Sequence, residues 1–281
     1  MGHSTWIIPG MSFRTVELSD PSLTPAGVSF VTVKSAALGR RADLCVFSPP
    51  GHGVDRLPLV ILLHGVYGSH WAWMLKGGAH RVLERLMREE ALPAMALAMP
   101  SDGLWGDGSG YLHHEGADHG RWIVDEVPEA AALAEPAVRG APCFLAGLSM
   151  GGYGTLRLGA LQADRFAGLS AHSSVTDSAR MRGFVEEDPD TWSLRETAPL
   201  AALDCLRANA DRLPPLRFDC GTEDVLIEDN RALHAGLLAA GIAHEYAEFP
   251  GGHTWEYWHE HLADSLRFFG QILMAETRLS G

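Results

Sequence analysis

Short apolar runs and longer amphipathic stretches alternate along the chain, and their two periods predict two kinds of element. Residues 28–35 (VSFVTVKS) and 42–49 (ADLCVFSP) alternate apolar and polar positions, the period of strands with one solvated face. Residues 58–65 (PLVILLHG), 94–101 (AMALAMPS), 142–149 (PCFLAGLS) and 166–173 (FAGLSAHS) are almost continuously apolar, as strands covered on both faces must be. Residues 216–221 (LRFDCG) and 244–249 (HEYAEF) complete a set of eight. Between the later runs, apolar residues recur every three or four positions. This predicts helices over 80–91, 121–134, 152–163, 228–241 and 255–273, the fourth of them closed by Gly241.

Repeated strand–turn–helix units predict one doubly wound α/β domain over 1–281, with a mostly parallel eight-stranded sheet flanked by helices. Residues 1–27 read as an N-terminal extension. Residues 102–120 and 174–215 fit no strand–helix unit and read as excursions near the face where the strands end. In such sheets function gathers at that face, at the carboxyl ends of the strands.

Composition narrows the class. The chain has 281 residues, 46% hydrophobic and 20% charged, enough for one large core. Its formal net charge of −13 argues against nucleic acid or an anionic membrane surface as a partner, since both require a basic face. The longest apolar runs are far too short to span a bilayer. The first residues, MGHSTWIIPGMSFR, lack the charged and then apolar regions of a secretory signal. Cys45, Cys143, Cys205 and Cys220 have no CxxC spacing and sit in or beside apolar runs, which reads as reduced core thiols in a cytoplasmic protein.

The candidate chemistry begins at Gly147-Leu148-Ser149-Met150-Gly151, where a buried strand turns into a helix. A serine on so sharp a turn needs small residues two positions away on each side, and Gly147 and Gly151 supply them. The backbone N–H of Met150 then opens a helix, where the dipole favours a developing oxyanion. A serine hydroxyl is a poor nucleophile without a base, and the base needs a carboxylate to hold its tautomer. Of fourteen histidines, His253 in FPGGHTWEYW lies on a loop at a strand's carboxyl end; His172 ranks a distant second. The loop after 216–221 offers Asp224, with Glu223 as the alternative acid. The order Ser149, Asp224, His253 is that of the α/β-hydrolase triad. A second oxyanion donor is expected from the N–H of Val66, after the strand ending His64-Gly65, with His64 tying down the loop.

These stretches resemble the esterase family of α/β-hydrolases, the group around esterase D, tributyrin esterases, S-formylglutathione hydrolases and the antigen 85 mycolyltransferases. The resemblance is carried by VILLHGVYGSHWAW, MPSDGLWGDGSGY, LAGLSMGGYGTLRLGAL, FDCGTEDVLIEDN and HEYAEFPGGHTWEYW, nearly the length of the chain. It implies an α/β-hydrolase fold with Ser149 as nucleophile, Asp224 as acid, His253 as base, and Val66 and Met150 as oxyanion amides. It further implies hydrolysis of small carboxylic esters through an acyl-enzyme, without a cofactor, by a protein that is often a homo-oligomer. A thioesterase acting on S-formylglutathione is the alternative, and an inactive fold used for binding is the alternative of another class. HGVYGSHW and GGHTWEYW stand nearer the short-chain acyl esterases.

Other features compete for attention. His113, His114, Glu115, Asp118 and His119 form a tempting metal cluster, but nothing in the spacing makes their side chains converge, so no metal site is assigned. Trp105, Tyr111 and Trp122 are candidates for the walls of the substrate pocket, whereas Trp71 and Trp73 read as core.

Overall fold

The structure, a computed structural model, describes residues 13–280; the start of the 1–27 extension and the first twelve residues of the stretch read for a secretory signal lie outside that range. The strands are β1 (Phe13–Leu18), β2 (Val28–Ser35), β3 (Arg41–Phe47), β4 (Leu59–Leu63), β5 (Ala96–Pro100), β6 (Cys143–Leu148), β7 (Gly168–His172), β8 (Leu216–Gly221) and β9 (Glu245–Phe249). They form one sheet in the order β1-β2-β3-β5-β4-β6-β7-β8-β9. The first strands pair antiparallel, β3 against β5 included, and every pairing from β5 through β9 is parallel.

The sheet has nine strands rather than the expected eight. The extra one, β1, lies within the expected extension and joins by the register Val16↔Val33, Glu17↔Thr32 and Leu18↔Val31. Its six residues give only a short alternating pattern, because an edge strand is held by pairing more than by burial.

Why the central runs are continuously apolar is visible in β4. Ile61 and Leu63 enter a core shared with α3 (Val127–Ala134), α4 (Met150–Leu161), α5 (Ala202–Ala208) and α6 (Ile227–Ala239). Val60 and Leu62 point to the opposite core, shared with α1 (Ala72–Leu75), α2 (Ala79–Glu90) and α7 (Trp255–Ser280). The side-chain period of two thus feeds two hydrophobic layers from one strand.

Helix positions follow the periodicity with three exceptions, the first being the single turn α1, which no pattern announced. The stretch expected as one helix over 121–134 opens with a π-turn over Trp122–Glu126 before α3 begins. Within the 174–215 excursion, α5 forms a helix that its short apolar pattern did not announce. All four cysteines are unpaired, three buried and Cys143 half-buried.

Candidate active site

The nucleophile turn is built as the glycine spacing requires. Ser149 has φ 54° and ψ −118°, a conformation costly for a residue with a side chain. A Cβ on Gly147 would run into the Gly151 carbonyl, and one on Gly151 into the Leu63 carbonyl of the neighbouring strand. The turn is pinned from behind: the Ser149 amide donates to the His172 carbonyl (2.9 Å), and the Ser149 carbonyl accepts from Tyr153 (3.1 Å) and Val175 (3.2 Å).

His253 arrives on the loop between β9 and α7. Its Nε2 lies 3.0 Å from the Ser149 Oγ, and its Nδ1 lies 3.0 and 2.9 Å from the two carboxylate oxygens of Asp224. That carboxylate fixes the tautomer: Nδ1–H donates to Asp224 and leaves Nε2 to accept the serine hydroxyl. Asp224 sits after β8, where a Cβ on Gly221 would strike the Gly251 carbonyl, so the acid and histidine loops approach through glycine backbones. Glu223 is exposed and donates only its amide to Gly251 (2.9 Å), so Asp224 alone reaches the imidazole. Burial alone would raise the Asp224 pKa, but its hydrogen bond to His253, the His253 charge and the Leu226 amide outweigh it. They hold the carboxyl below its ordinary value.

Gly65 carries the chain hard against this turn: a Cβ there would stand 2.9 Å from Leu148 Cδ1 and 3.3 Å from Ser149 Cβ. The amide that follows belongs to Val66. Among the described residues, neither the Val66 nor the Met150 amide has a backbone acceptor. His64, 1% exposed, accepts the Asp102 amide on Nε2 (3.1 Å), and its carbonyl receives the Tyr111 hydroxyl (3.0 Å). It ties the oxyanion loop to the 102–120 excursion.

Ser149 and His253 open into a cavity of about 280 Å³ walled by Val66, Trp71, Phe184, Trp255 and Trp258, with Lys76 also lining it. Trp258 meets the His253 ring edge-on at 4.9 Å, and Phe184 lies against it at 5.6 Å. The three expected wall residues are elsewhere. Tyr111 and Trp122 are fully buried, their polar atoms donating to the carbonyls of His64 (3.0 Å) and Ser101 (2.8 Å). Trp105 lines a separate cavity of about 400 Å³ with His114, Glu187 and Trp192, where its ring stacks on His114 at 4.1 Å. Trp71, expected in the core, is 41% exposed and stands in the Ser149 cavity, whereas Trp73 is buried and donates to the Leu63 carbonyl (2.9 Å). Phe184 escaped detection because it lies in an excursion without a pattern. Trp255 and Trp258 carried a signal, two tryptophans three apart in the turn after His253.

The 113–119 cluster splits into pairs, His113 with Asp118 at 3.8 Å and the His114 and His119 rings at 5.3 Å, rather than converging on one point. His114 packs between Trp105 and Trp192, His119 Nδ1 donates to the Asp102 carbonyl (2.7 Å), and Glu115 pairs with Arg195. Among the described residues, no group of three or more His, Cys, Asp or Glu is placed to hold a metal ion. Nor, among the same residues, is any helix long and apolar enough to cross a membrane.

Comparison with known proteins agrees with this frame. The family model described as "Putative esterase" matches residues 35–269. An acetyl esterase from Caldicellulosiruptor saccharolyticus is 28% identical over 237 residues, covering 78% of this chain and 85% of that protein. A solved ferulic acid esterase superposes with a TM-score of 0.75 at 24% identity, over 87% of this chain and 98% of its own. An S-formylglutathione hydrolase from Staphylococcus aureus does so at 0.70 and 20%, over 86% and 97%. The chain belongs to this esterase family, has the α/β-hydrolase fold and is a carboxylesterase-type hydrolase.

Proposed function

We propose that the chain hydrolyses small carboxylic esters, short-chain acyl esters foremost, through an acyl-enzyme on Ser149 with His253 as base and Asp224 as its orienting acid. The observation that carries this reading is the continuous path Asp224–His253–Ser149, with links of 2.9 and 3.0 Å, opening into a cavity of about 280 Å³. That volume stands at the small end for ligand sites and suits a compact ester.

In the acylation step, Ser149 Oγ attacks the ester carbonyl carbon as His253 Nε2 takes its proton. Asp224, kept ionised, steadies the resulting imidazolium. The carbonyl oxygen becomes an oxyanion held by the Val66 and Met150 amides, the latter at the N-terminus of α4. Donors of this kind are each worth about 10²–10³ in kcat. As the tetrahedral intermediate collapses, His253 returns the proton to the departing alkoxide. Water, deprotonated by the same imidazole, then attacks the acyl carbon; the bond to Ser149 Oγ breaks, His253 returns the proton to that oxygen, and the acid is released. The acetyl esterase relative supports a short acyl group. Four unpaired cysteines support a reducing, cytoplasmic setting.

A fluorophosphonate probe followed by peptide mass spectrometry tests the reading. The expected adduct is on Ser149 alone, together with turnover of 4-nitrophenyl acetate. An unlabelled Ser149 in active protein would overturn it. Treatment with a chelator is expected to leave turnover unchanged.

A further inference from the structure

The chain has 22 basic residues besides histidine, of which only two are lysines, Lys34 and Lys76. Lys34 Nζ donates to the Gly39 carbonyl (2.7 Å) far along the β2–β3 turn. Lys76, at the end of α1, lines the Ser149 cavity. Its Nζ lies 5.3 Å from the centroid of the Trp255 ring, another wall of that cavity. Among the described residues no carboxylate pairs with it, although acidic residues outnumber basic ones 35 to 22. Arginines elsewhere find such partners readily: Arg157 with Glu196, Arg217 with Asp219, Arg267 with Glu90.

An ammonium group over an indole face is attracted to the ring, and among the described residues its N–H donors meet no acceptor. Lys76 itself is exposed, and the other walls of this cavity are mainly apolar or aromatic, with Tyr67, Ser149, His253 and Thr254 as their polar members. A cation placed so favours an anion entering the same cavity. One ammonium matches a monoanion such as a carboxylate; a phosphate dianion calls for several donors.

We propose that Lys76 is a specificity-determining residue that selects esters bearing a free carboxylate, a proposal resting on the ester-hydrolase reading above. The carboxylate belongs either to the acyl half, as in a half-ester of a dicarboxylic acid, or to the alcohol half, as in an acylated hydroxy acid. In both, its charge meets the Lys76 ammonium while the ester carbonyl lies at Ser149.

Two substrate pairs separate these sources. On the acyl side, 4-nitrophenyl hydrogen glutarate is compared with 4-nitrophenyl valerate; on the alcohol side, 4-acetoxybenzoate is compared with 4-methylphenyl acetate. Lys76→Met keeps an unbranched stem over Trp255 and removes the charge. The expected result is that the acidic-to-neutral ratio of kcat/KM falls roughly five- to ten-fold in Lys76→Met for one pair, and that Lys76→Arg retains most of it. The wild-type ratio is also expected to shrink in roughly 0.5 M salt, where exposed charges are screened within a few ångströms. An unchanged ratio in both pairs, or equal losses on acidic and neutral members, would overturn the proposal and reduce Lys76 to a cover for Trp255. Failure of the ester-hydrolase reading has a different signature, namely no turnover of any of the four esters by the wild type. Calorimetric binding of 4-nitrophenyl hydrogen glutarate and of 4-acetoxybenzoate to Ser149→Ala, with and without Lys76→Met, still reads the contact in that case. Equal affinities in both backgrounds would then sink it.

Discussion

Two Asp–His–Ser chains lie in this molecule, one opening on a cavity and the other sealed inside. In the first, Asp224, His253 and Ser149 are linked at 2.9 and 3.0 Å. In the second, Asp219, His172 and Ser265 are linked at 2.9 and 2.7 Å, with no solvent access to any of the three. By hydrogen-bond length alone the sealed set is the tighter. What it lacks is everything around the bonds. Ser265 sits inside regular helix α7, and its hydroxyl is already shared with Ser170 (2.6 Å) and Arg217 (3.3 Å). Ser149 sits on a strained turn and faces a cavity, and among the described residues the nearby Val66 and Met150 amides have no backbone acceptor. The two relays share their residue types and differ in access to a cavity and in the backbone at the serine, the features that a reactive serine requires.

The sealed set has a different task. Tyr257, four residues beyond His253, donates its hydroxyl to Asp219 (2.9 Å), and Arg217 pairs with the same carboxylate (2.8 Å). His172 in turn accepts the Ser149 amide on its carbonyl (2.9 Å). The buried network thus cross-links β7, β8 and α7 directly behind the open triad.

The largest expected effect falls on the open chain. Ser149→Ala is expected to lower kcat for 4-nitrophenyl acetate by about 10⁶ while leaving the far-UV spectrum unchanged. Next comes Asp224→Asn, which keeps the shape of the acid but lets the imidazole adopt the wrong tautomer. A fall of about 10⁴ in kcat is expected. A loss below tenfold in either variant would move the chemistry away from this triad, and the sealed serine would then need examination.

How far these two sets were legible in the sequence differs for a physical reason. Each member of the open set ends or follows a strand run, so strand ends, glycine spacing and the family resemblance together pointed to Ser149, Asp224 and His253, with Glu223 and His172 as the alternatives. The sealed set needs a pairing between His172 and Ser265, 93 residues apart, on a strand and a helix face whose packing no local pattern encodes. The cavity walls were illegible for a related reason. Tyr111 and Trp122 are near the site in sequence, but each indole or phenol is drawn inward by a backbone carbonyl that needs a donor. Phe184 reaches the site from an excursion with no period at all. Periodicity reports which face a residue takes within an element; it is silent on how loops fold over the strand ends.

Smaller effects belong to the sealed chain, and they appear as stability. Asp219→Asn leaves Arg217 buried without its counter-charge and His172 without its carboxylate acceptor, and is expected to cost about 3–5 kcal/mol, read from chemical denaturation. Burial would raise the Asp219 pKa, but His172, Arg217 and the Tyr257 hydroxyl together lower it below the ordinary carboxylate value. Because folding lowers it, ionised Asp219 contributes stability that is fully present above the ordinary carboxylate range, about pH 4, and is lost as the pH falls through the folded value. The wild type should therefore lose stability more steeply below about pH 4 than Asp219→Asn does. Parallel acid profiles would show that the charge on Asp219 is not what the network uses.

The smallest effect is the sharpest test of the contrast. Ser265→Ala removes one hydroxyl from a site where His172 Nε2, Ser170 and Arg217 all converge. Leaving such buried partners short of one hydrogen bond is expected to cost about 1–3 kcal/mol. Turnover should nevertheless stay within about twofold of wild type at a temperature where both are folded, since the hydroxyl reaches no cavity. Ser149→Ala gives the mirror image, activity gone and stability kept. If Ser265→Ala instead lowered kcat tenfold without loss of stability, the two chains would be coupled through the Ser149–His172 backbone bond. The buried set would then be positioning the nucleophile as well as bracing the sheet.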